Sequence, residues 1–83
     1  MSALKPVKLT YFAVLAEQAG LAEEVRWTTA TNASQLYQEL QATYGFTLPL
    51  SHVKVAINDE LVALEQPLQA HDHVVFIPPV AGG

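Results

Sequence analysis

The sequence predicts an α+β domain in which one main helix packs across a mixed sheet. Three observations carry this. Short segments near the start, in the middle and near the end of the chain alternate apolar and polar residues. A single longer segment places apolar residues at helical spacing between a capping residue, Asn32, and a stop, Gly45. The last apolar run, Val74-Val75-Phe76-Ile77, is uninterrupted by polar residues. That run predicts burial on both faces and hence a central strand.

Val7-Lys8-Leu9-Thr10-Tyr11 opens the body as a half-buried strand. From Phe12 the period changes. Phe12, Leu15, Ala16 and Ala19 share one helical face, Gly20 is placed as the C′ residue, and Leu21 supplies the apolar contact after it. Val25 and Trp27 alternate with Glu24, Arg26 and Thr28, which predicts a second strand. The link between these two strands is short for a parallel crossover, and the pattern leaves its direction open. Residues 29–34 form a polar entry to the main helix, capped through Asn32 with Gln35 or through Thr31 with Ser34. Leu36, Tyr37, Leu40 and Tyr44 make its apolar stripe. Residues 46–50 are a loop, broken at Pro49. Val53, Val55 and Ile57 alternate with Lys54 and Ala56, and Asn58-Asp59 is a pair that accepts positive φ, so residues 53–64 read as a hairpin. Leu68, alone among polar neighbours, plugs the core. His73 to Pro78 is the last strand.

A chain of 83 residues is one domain. It lacks cysteine, which excludes disulfides, thiolate metal sites and a cysteine nucleophile. A hydrophobic fraction of 51% against 14% charged argues against disorder. It also leaves more apolar surface than one small core can hide, which points to a protein partner. A net charge of −4 with four lysines and arginines is a poor match to phosphate, so nucleic-acid binding is not expected. No apolar run approaches the ~20 residues of a membrane span. Residues 1–6 lack the apolar core of a signal peptide, and the expected location is cytoplasmic, away from membranes.

Few side chains suggest chemistry. His71-Asp72-His73 is metal-capable, but alternation separates Asp72 from His73 and His52 is distant, so a solvated turn is expected and no metal site. The acid pairs Glu23-Glu24 and Asp59-Glu60 sit at loop edges with nothing to build an acid–base pocket. Trp27 and the three tyrosines read as core or interface. No glycine loop cradles phosphate, and no bound cofactor is expected.

What remains is the tail, Pro78-Pro79-Val80-Ala81-Gly82-Gly83. Pro-Pro ends the strand and stiffens an extended segment. Two glycines without Cβ fit a narrow channel and leave the last carbonyl carbon unhindered. The expectation is a body over residues 1–77 and an arm over residues 78–83, with Gly83 carrying a free α-carboxylate. A carboxylate is a poor electrophile. It reacts once converted to a mixed anhydride such as an acyl-adenylate, from which a sulfur donor displaces AMP to leave a thiocarboxylate. A partner enzyme would supply the ATP site and the sulfur.

The tail, Phe76-Ile77-Pro78-Pro79-Val80-Ala81-Gly82-Gly83, resembles that of the small subunit of molybdopterin synthase, the MoaD family of ubiquitin-like sulfur carriers. Tyr11-Phe12-Ala13 with Glu17 and Gly20, and Val55-Ala56-Ile57-Asn58 with Leu61-Val62, support the resemblance over nearly the whole chain. It implies a ubiquitin-like β-grasp fold, with the first and last strands as parallel neighbours at the sheet centre. It implies that an E1-like activating enzyme adenylates Gly83, that a sulfur donor protein supplies the sulfur, and that the thiocarboxylate serves the cyclic pyranopterin precursor. The arm would enter a pocket of the large synthase subunit in a heterotetramer, and the catalytic side chains would belong to that subunit. Partner contacts implied here are Phe12, Phe76, Ile77, Pro78, Pro79, Val80, Ala81 and Gly82. Ala16 replaces a frequent arginine, and His71 occupies a turn position that usually holds glycine. Alternatives are a carrier for thiamine or tRNA thiolation, a protein modifier, or a binding module with an inert tail.

Overall fold

A computed structural model of the chain describes residues 3–79. Five strands form one sheet in the order β2-β1-β5-β3-β4. They are β1 (Lys5–Tyr11), β2 (Glu23–Thr28), β3 (Lys54–Ile57), β4 (Glu60–Val62) and β5 (His73–Ile77). The helices are α1 (Ala13–Ala19) and α2 (Ala33–Tyr44), with a 3-10 turn over Leu50–His52.

The open question of the first link is answered by register. β1 and β2 run antiparallel, with Lys5 opposite Thr28 and Thr10 opposite Glu23. β1 and β5 run parallel, with Lys8 opposite His73 and Tyr11 opposite Phe76. β3 is antiparallel to both β5 and β4. The first and last strands are thus parallel neighbours, as the resemblance implies.

The caps follow the sequence. Asn32 Oδ1 accepts from the Gln35 amide at 2.9 Å, and the Gln35 side chain reaches back to accept from the Thr31 amide at 2.9 Å. Asn32 is the cap, and Thr31 is held by the reciprocal bond. Gly20 and Gly45 close α1 and α2 with φ of 79° and 72°, a left-handed conformation costly to any residue with a Cβ. Asn58 and Asp59 turn the β3–β4 hairpin with φ of 53° and 70°.

The core lies between the sheet and α2. Val7, Leu9 and Tyr11 of β1, Val55 and Ile57 of β3, and Val74 and Phe76 of β5 meet Leu36, Tyr37 and Leu40. Leu15, Phe46 and Leu68 close its margins. Tyr37 stacks on Phe46 at 5.6 Å and meets Phe76 at 5.2 Å.

One expectation about the strands needs correction. β5 buries one face, not two: Val74 and Phe76 are inside, while His73, Val75 and Ile77 are half-buried on the other face. Its central place in the sheet stands, but no helix covers that second face among the described elements. Trp27, expected in the core or at an interface, is 63% exposed, which leaves the second of these open. β2 is inverted, with Glu24, Arg26 and Thr28 toward α2 and Val25 and Trp27 outward.

Candidate functional site

The site begins where β5 ends. Parallel pairing brings Tyr11 beside Phe76, so β1 gives way to Phe12 close to where β5 makes its last pair, Ile77 with Lys54, and hands over to Pro78. Ala13 then takes φ 51°, an unfavourable left-handed conformation for alanine. That turn ends β1 abruptly and leaves the Phe12 ring 52% exposed at the foot of the arm.

The expected contact residues separate by alternation. Phe76 is wholly buried against Tyr37, so its expected role as a partner contact is corrected: it anchors β5 from beneath. Ile77 and Pro78 are half-buried and Pro79 is exposed, so all three present surface. Val80, Ala81, Gly82 and Gly83 lie outside the described residues. The open face continues the apolar strip. Ala56 pairs with Val75 on one side and with Leu61 on the other, and Leu61 is 69% exposed. Lys54, opposite Ile77, contributes a cation to the same face. Leu61 was absent from the sequence-based set. The signal was present, because alternation in the hairpin puts it on the face opposite Val62.

Beneath the β1–β2 end of the sheet lies a polar network. Glu24 accepts hydrogen bonds from the hydroxyls of Tyr11 and, at 2.7 Å, Tyr44. Burial first, then the Glu24 hydrogen bond, pushes the Tyr11 phenol well above its ordinary range. For Tyr44 the Glu24 bond leads and burial follows, again upward. Arg26 donates to Glu39 and, at 2.9 Å, to Thr43, while the Thr28 hydroxyl donates to Glu39 at 2.7 Å. Burial works against the Arg26 charge, but the Glu39 hydrogen bond and the Glu39 and Glu24 carboxylates outweigh it and raise its pKa. These groups satisfy one another and hold α2 to β2.

In the His71-Asp72-His73 segment, which turns into β5 at His73, the Asp72 and His73 side chains are hydrogen-bonded. Asp72 accepts from the Asn58 side chain at 3.0 Å and from the Gln69 amide at 2.9 Å. His73 Nε2 meets Thr10 Oγ1 at 2.8 Å. His71 has φ 71°, the conformation that a glycine would favour there. Among the described residues no group of three His, Cys, Asp or Glu side chains is placed to hold a metal ion. A polar cavity of about 420 Å³ lies by the hairpin turn, lined by Asn58, Glu60, Gln69 and Asp72. It sits at the His73 end of β5, away from the arm. No helix among the described residues is long and apolar enough to cross a membrane.

The sequence profile of the ThiS family matches residues 9–83, from the first strand to the final glycine. The chain belongs to the ThiS family. It is a ThiS/MoaD-type ubiquitin-like sulfur carrier or modifier. The comparison with curated proteins gave no significant match. Solved structures with the same fold include a chain of the complex of subunits 1 and 2 of the molybdopterin-converting factor from Helicobacter pylori. That chain is 29% identical, with a TM-score of 0.62 over 94% of this chain and 99% of its own. The small archaeal modifier protein 1 of H. volcanii is 22% identical, with a TM-score of 0.77 over 92% of this chain and 99% of its own. A Caldiarchaeum subterraneum ubiquitin is 15% identical, with a TM-score of 0.62 over 98% of this chain and 100% of its own. The fold of this ThiS-family chain is therefore the ubiquitin-like β-grasp.

In this chain the described residues set an exposed apolar strip beside the start of the tail. The central strand β5, anchored by Phe76, leads Pro78 and Pro79 off its C-terminal end near Phe12. The exposed apolar strip lies next to that exit.

Proposed function

We propose that the chain is the sulfur-carrier subunit of a molybdopterin synthase. One observation supports this reading above others: the ThiS-family match runs through the tail to Gly83, and that tail reads Pro-Pro-Val-Ala-Gly-Gly. The 29% identity to a chain of the H. pylori complex points to the same pathway.

The Gly83 carboxylate attacks the α-phosphorus of ATP on an E1-like partner and releases pyrophosphate. Hydrosulfide, supplied by a sulfur donor protein, adds to the acyl-adenylate carbonyl. AMP leaves with its bonding electron pair, one proton is lost, and a thiocarboxylate remains. The thiocarboxylate then carries its sulfur to the cyclic pyranopterin precursor held by the large synthase subunit. The body over residues 1–77 supplies recognition through Phe12, Ile77 and the apolar sheet face. The arm over residues 78–83 supplies reach, and Ala81 and Gly82 keep it slim near the reacting carbon. ATP is bound by the partner, and the chain binds no cofactor of its own.

The test is an intact mass after incubation with the host's activating enzyme, ATP and sulfide. The expected result is a mass rise equal to one oxygen replaced by one sulfur, localised to Gly83. An unchanged mass with a demonstrably active activating enzyme overturns the carrier reading. Val80→Asp is expected to weaken binding to the large subunit. Replacing Gly82 with a bulky residue, or adding a residue after Gly83, is expected to abolish sulfur transfer while the body stays folded.

A further inference from the structure

A strand with one buried face ordinarily turns apolar residues in and polar residues out. β2 does the reverse, and it lies at the sheet edge, paired only with β1 among the described residues. Its inward residues Glu24, Arg26 and Thr28 are committed to Tyr11, Tyr44, Glu39 and Thr43. Val25 and Trp27 are thereby held in solvent, 65% and 63% exposed.

The backbone of this edge is also available. The Tyr11 amide donates to the Ala22 carbonyl at 2.8 Å, which fixes Tyr11 and Ala22 as a hydrogen-bonded antiparallel pair. Such pairs alternate with non-bonded ones. With the register given above, Glu24, Arg26 and Thr28 therefore point their backbone groups toward β1. Glu23, Val25 and Trp27 point theirs to the open side. Edges in natural proteins are blunted by proline, lysine, inward-pointing charges, bulges or covering segments; of these β2 has inward charges, Glu24 and Arg26, and both are already engaged by Tyr11 and Glu39. Here β2 carries no proline and no lysine, and beside the ion-paired Glu23 its open side shows a valine and a tryptophan.

We propose that β2 pairs antiparallel with β2 of a second copy of this chain, about a two-fold axis through Val25. Facing residues then sum to an even number, so the buried and open faces of both sheets stay in line. Val25 meets Val25, and Glu23 meets Trp27, with backbone bonds exchanged at each of these positions. Between them Glu24 of one copy faces Arg26 of the other, twice, acid opposite base. Trp27 comes to rest on the Lys8–Glu23 ion pair of the other copy, whose atoms stand 3.6 Å apart. The lysine ammonium beside that indole is an additional favourable contact. A register moved by one pair would place Arg26 against Arg26, and charge selects the Val25-centred one. The interface is isologous, so it closes at two subunits and does not propagate. It lies two strands from β5, which leaves Pro78 and Pro79 of both copies on the outer sides.

Sedimentation of the full chain from about 10 μM to about 1 mM tests this, a range that reaches the affinity of weak strand-to-strand association. The expected result is a concentration-dependent rise to twice the monomer mass. Val25→Lys adds a charge to the edge. Val25→Pro removes an amide that points away from β1, so the β1 ladder is kept. Both are expected to hold the chain at monomer mass with an unchanged far-ultraviolet spectrum. The chain has no cysteine of its own, so single cysteines report register. Val25→Cys is expected to form a covalent dimer under mild oxidation, since bonded antiparallel pairs stand roughly 5.5 Å apart at Cα. Trp27→Cys, four positions out of register with itself, is expected not to. A chain that stays monomeric throughout leaves this edge to a strand of another protein and overturns the proposal. So does a dimer that survives both Val25 substitutions, or a cross-link through Trp27→Cys in place of Val25→Cys.

Discussion

Phe76 and Ile77 are adjacent, similar in size, and held on opposite faces of β5. Phe76 fills the centre of the core against Tyr37. Phe76→Ala is expected to cost about 3–5 kcal/mol, a large part of the stability of a small domain. Ile77→Ala removes half-exposed surface and is expected to cost less than half as much, while weakening partner binding. Urea midpoints of the two variants check the order, and equal losses would contradict the assignment of faces. His71 sits at φ 71° with its amide donating to the Pro6 carbonyl at 2.7 Å. The bond needs only backbone, whereas the imidazole's Cβ is strained there. His71→Gly is expected to raise stability by up to about 1 kcal/mol, because relief of left-handed strain outweighs the added freedom of the unfolded chain. A lowered urea midpoint would show that the His71 ring has an unrecognised structural role.

At the scale of the element, α2 is the part whose bounds follow most directly from local chemistry. Asn32 starts it, Gly45 ends it, and its stripe of Leu36, Tyr37 and Leu40 is fully buried. Long-range bonds then fix its position. The Tyr37 hydroxyl donates to the Leu48 carbonyl at 2.7 Å, and the Ser34 amide donates to the Leu64 carbonyl at 2.9 Å. Asn32→Ala deletes the bond to the Gln35 amide and is expected to cost about 1 kcal/mol. Thermal or urea unfolding checks this, and Asn32→Ser or Asn32→Asp is expected to restore most of the loss. β2 shows the converse case. Its alternation was legible, but which set of residues faced inward was not. The usual rule puts Val25 and Trp27 inside, and only the carboxylates and hydroxyls of α2, distant in sequence, make a polar interior satisfiable.

For the whole molecule, the buried tyrosines set an alkaline limit. Tyr11 is 2% exposed and its phenol is raised well above the unfolded value near 10. Above that pH the unfolded chain releases a proton that the folded chain keeps, so the folded state binds more protons and stability falls as pH rises. Below it the contribution is fully present. The stability curve is expected to be insensitive to this group up to about pH 9 and to fall above about pH 10. Its limiting slope is about 1.4 kcal/mol per pH unit for one such group. Tyr44 adds to the effect in the same direction. Urea midpoints between pH 8 and about 11.5 test it, and Tyr11→Phe is expected to flatten the decline. An equally steep decline in that variant would assign the effect to other groups.

The sequence by itself determined the element order, the Gly45 end of α2, the Asn58-Asp59 turn and the apolar content of the core. These depend on neighbours a few residues apart, whose spacing is written in the chain. It also made the tail the distinctive chemical feature. Tertiary structure decided the antiparallel β1–β2 link, the burial of Phe76 rather than Ile77, and the closeness of the β1 end to the strand end from which the arm leaves. It decided too that Val25 and Trp27 face solvent from an open edge. Each of these depends on contacts between segments far apart in sequence. A strand of alternating residues has two faces, and only the elements packed against it determine which is buried.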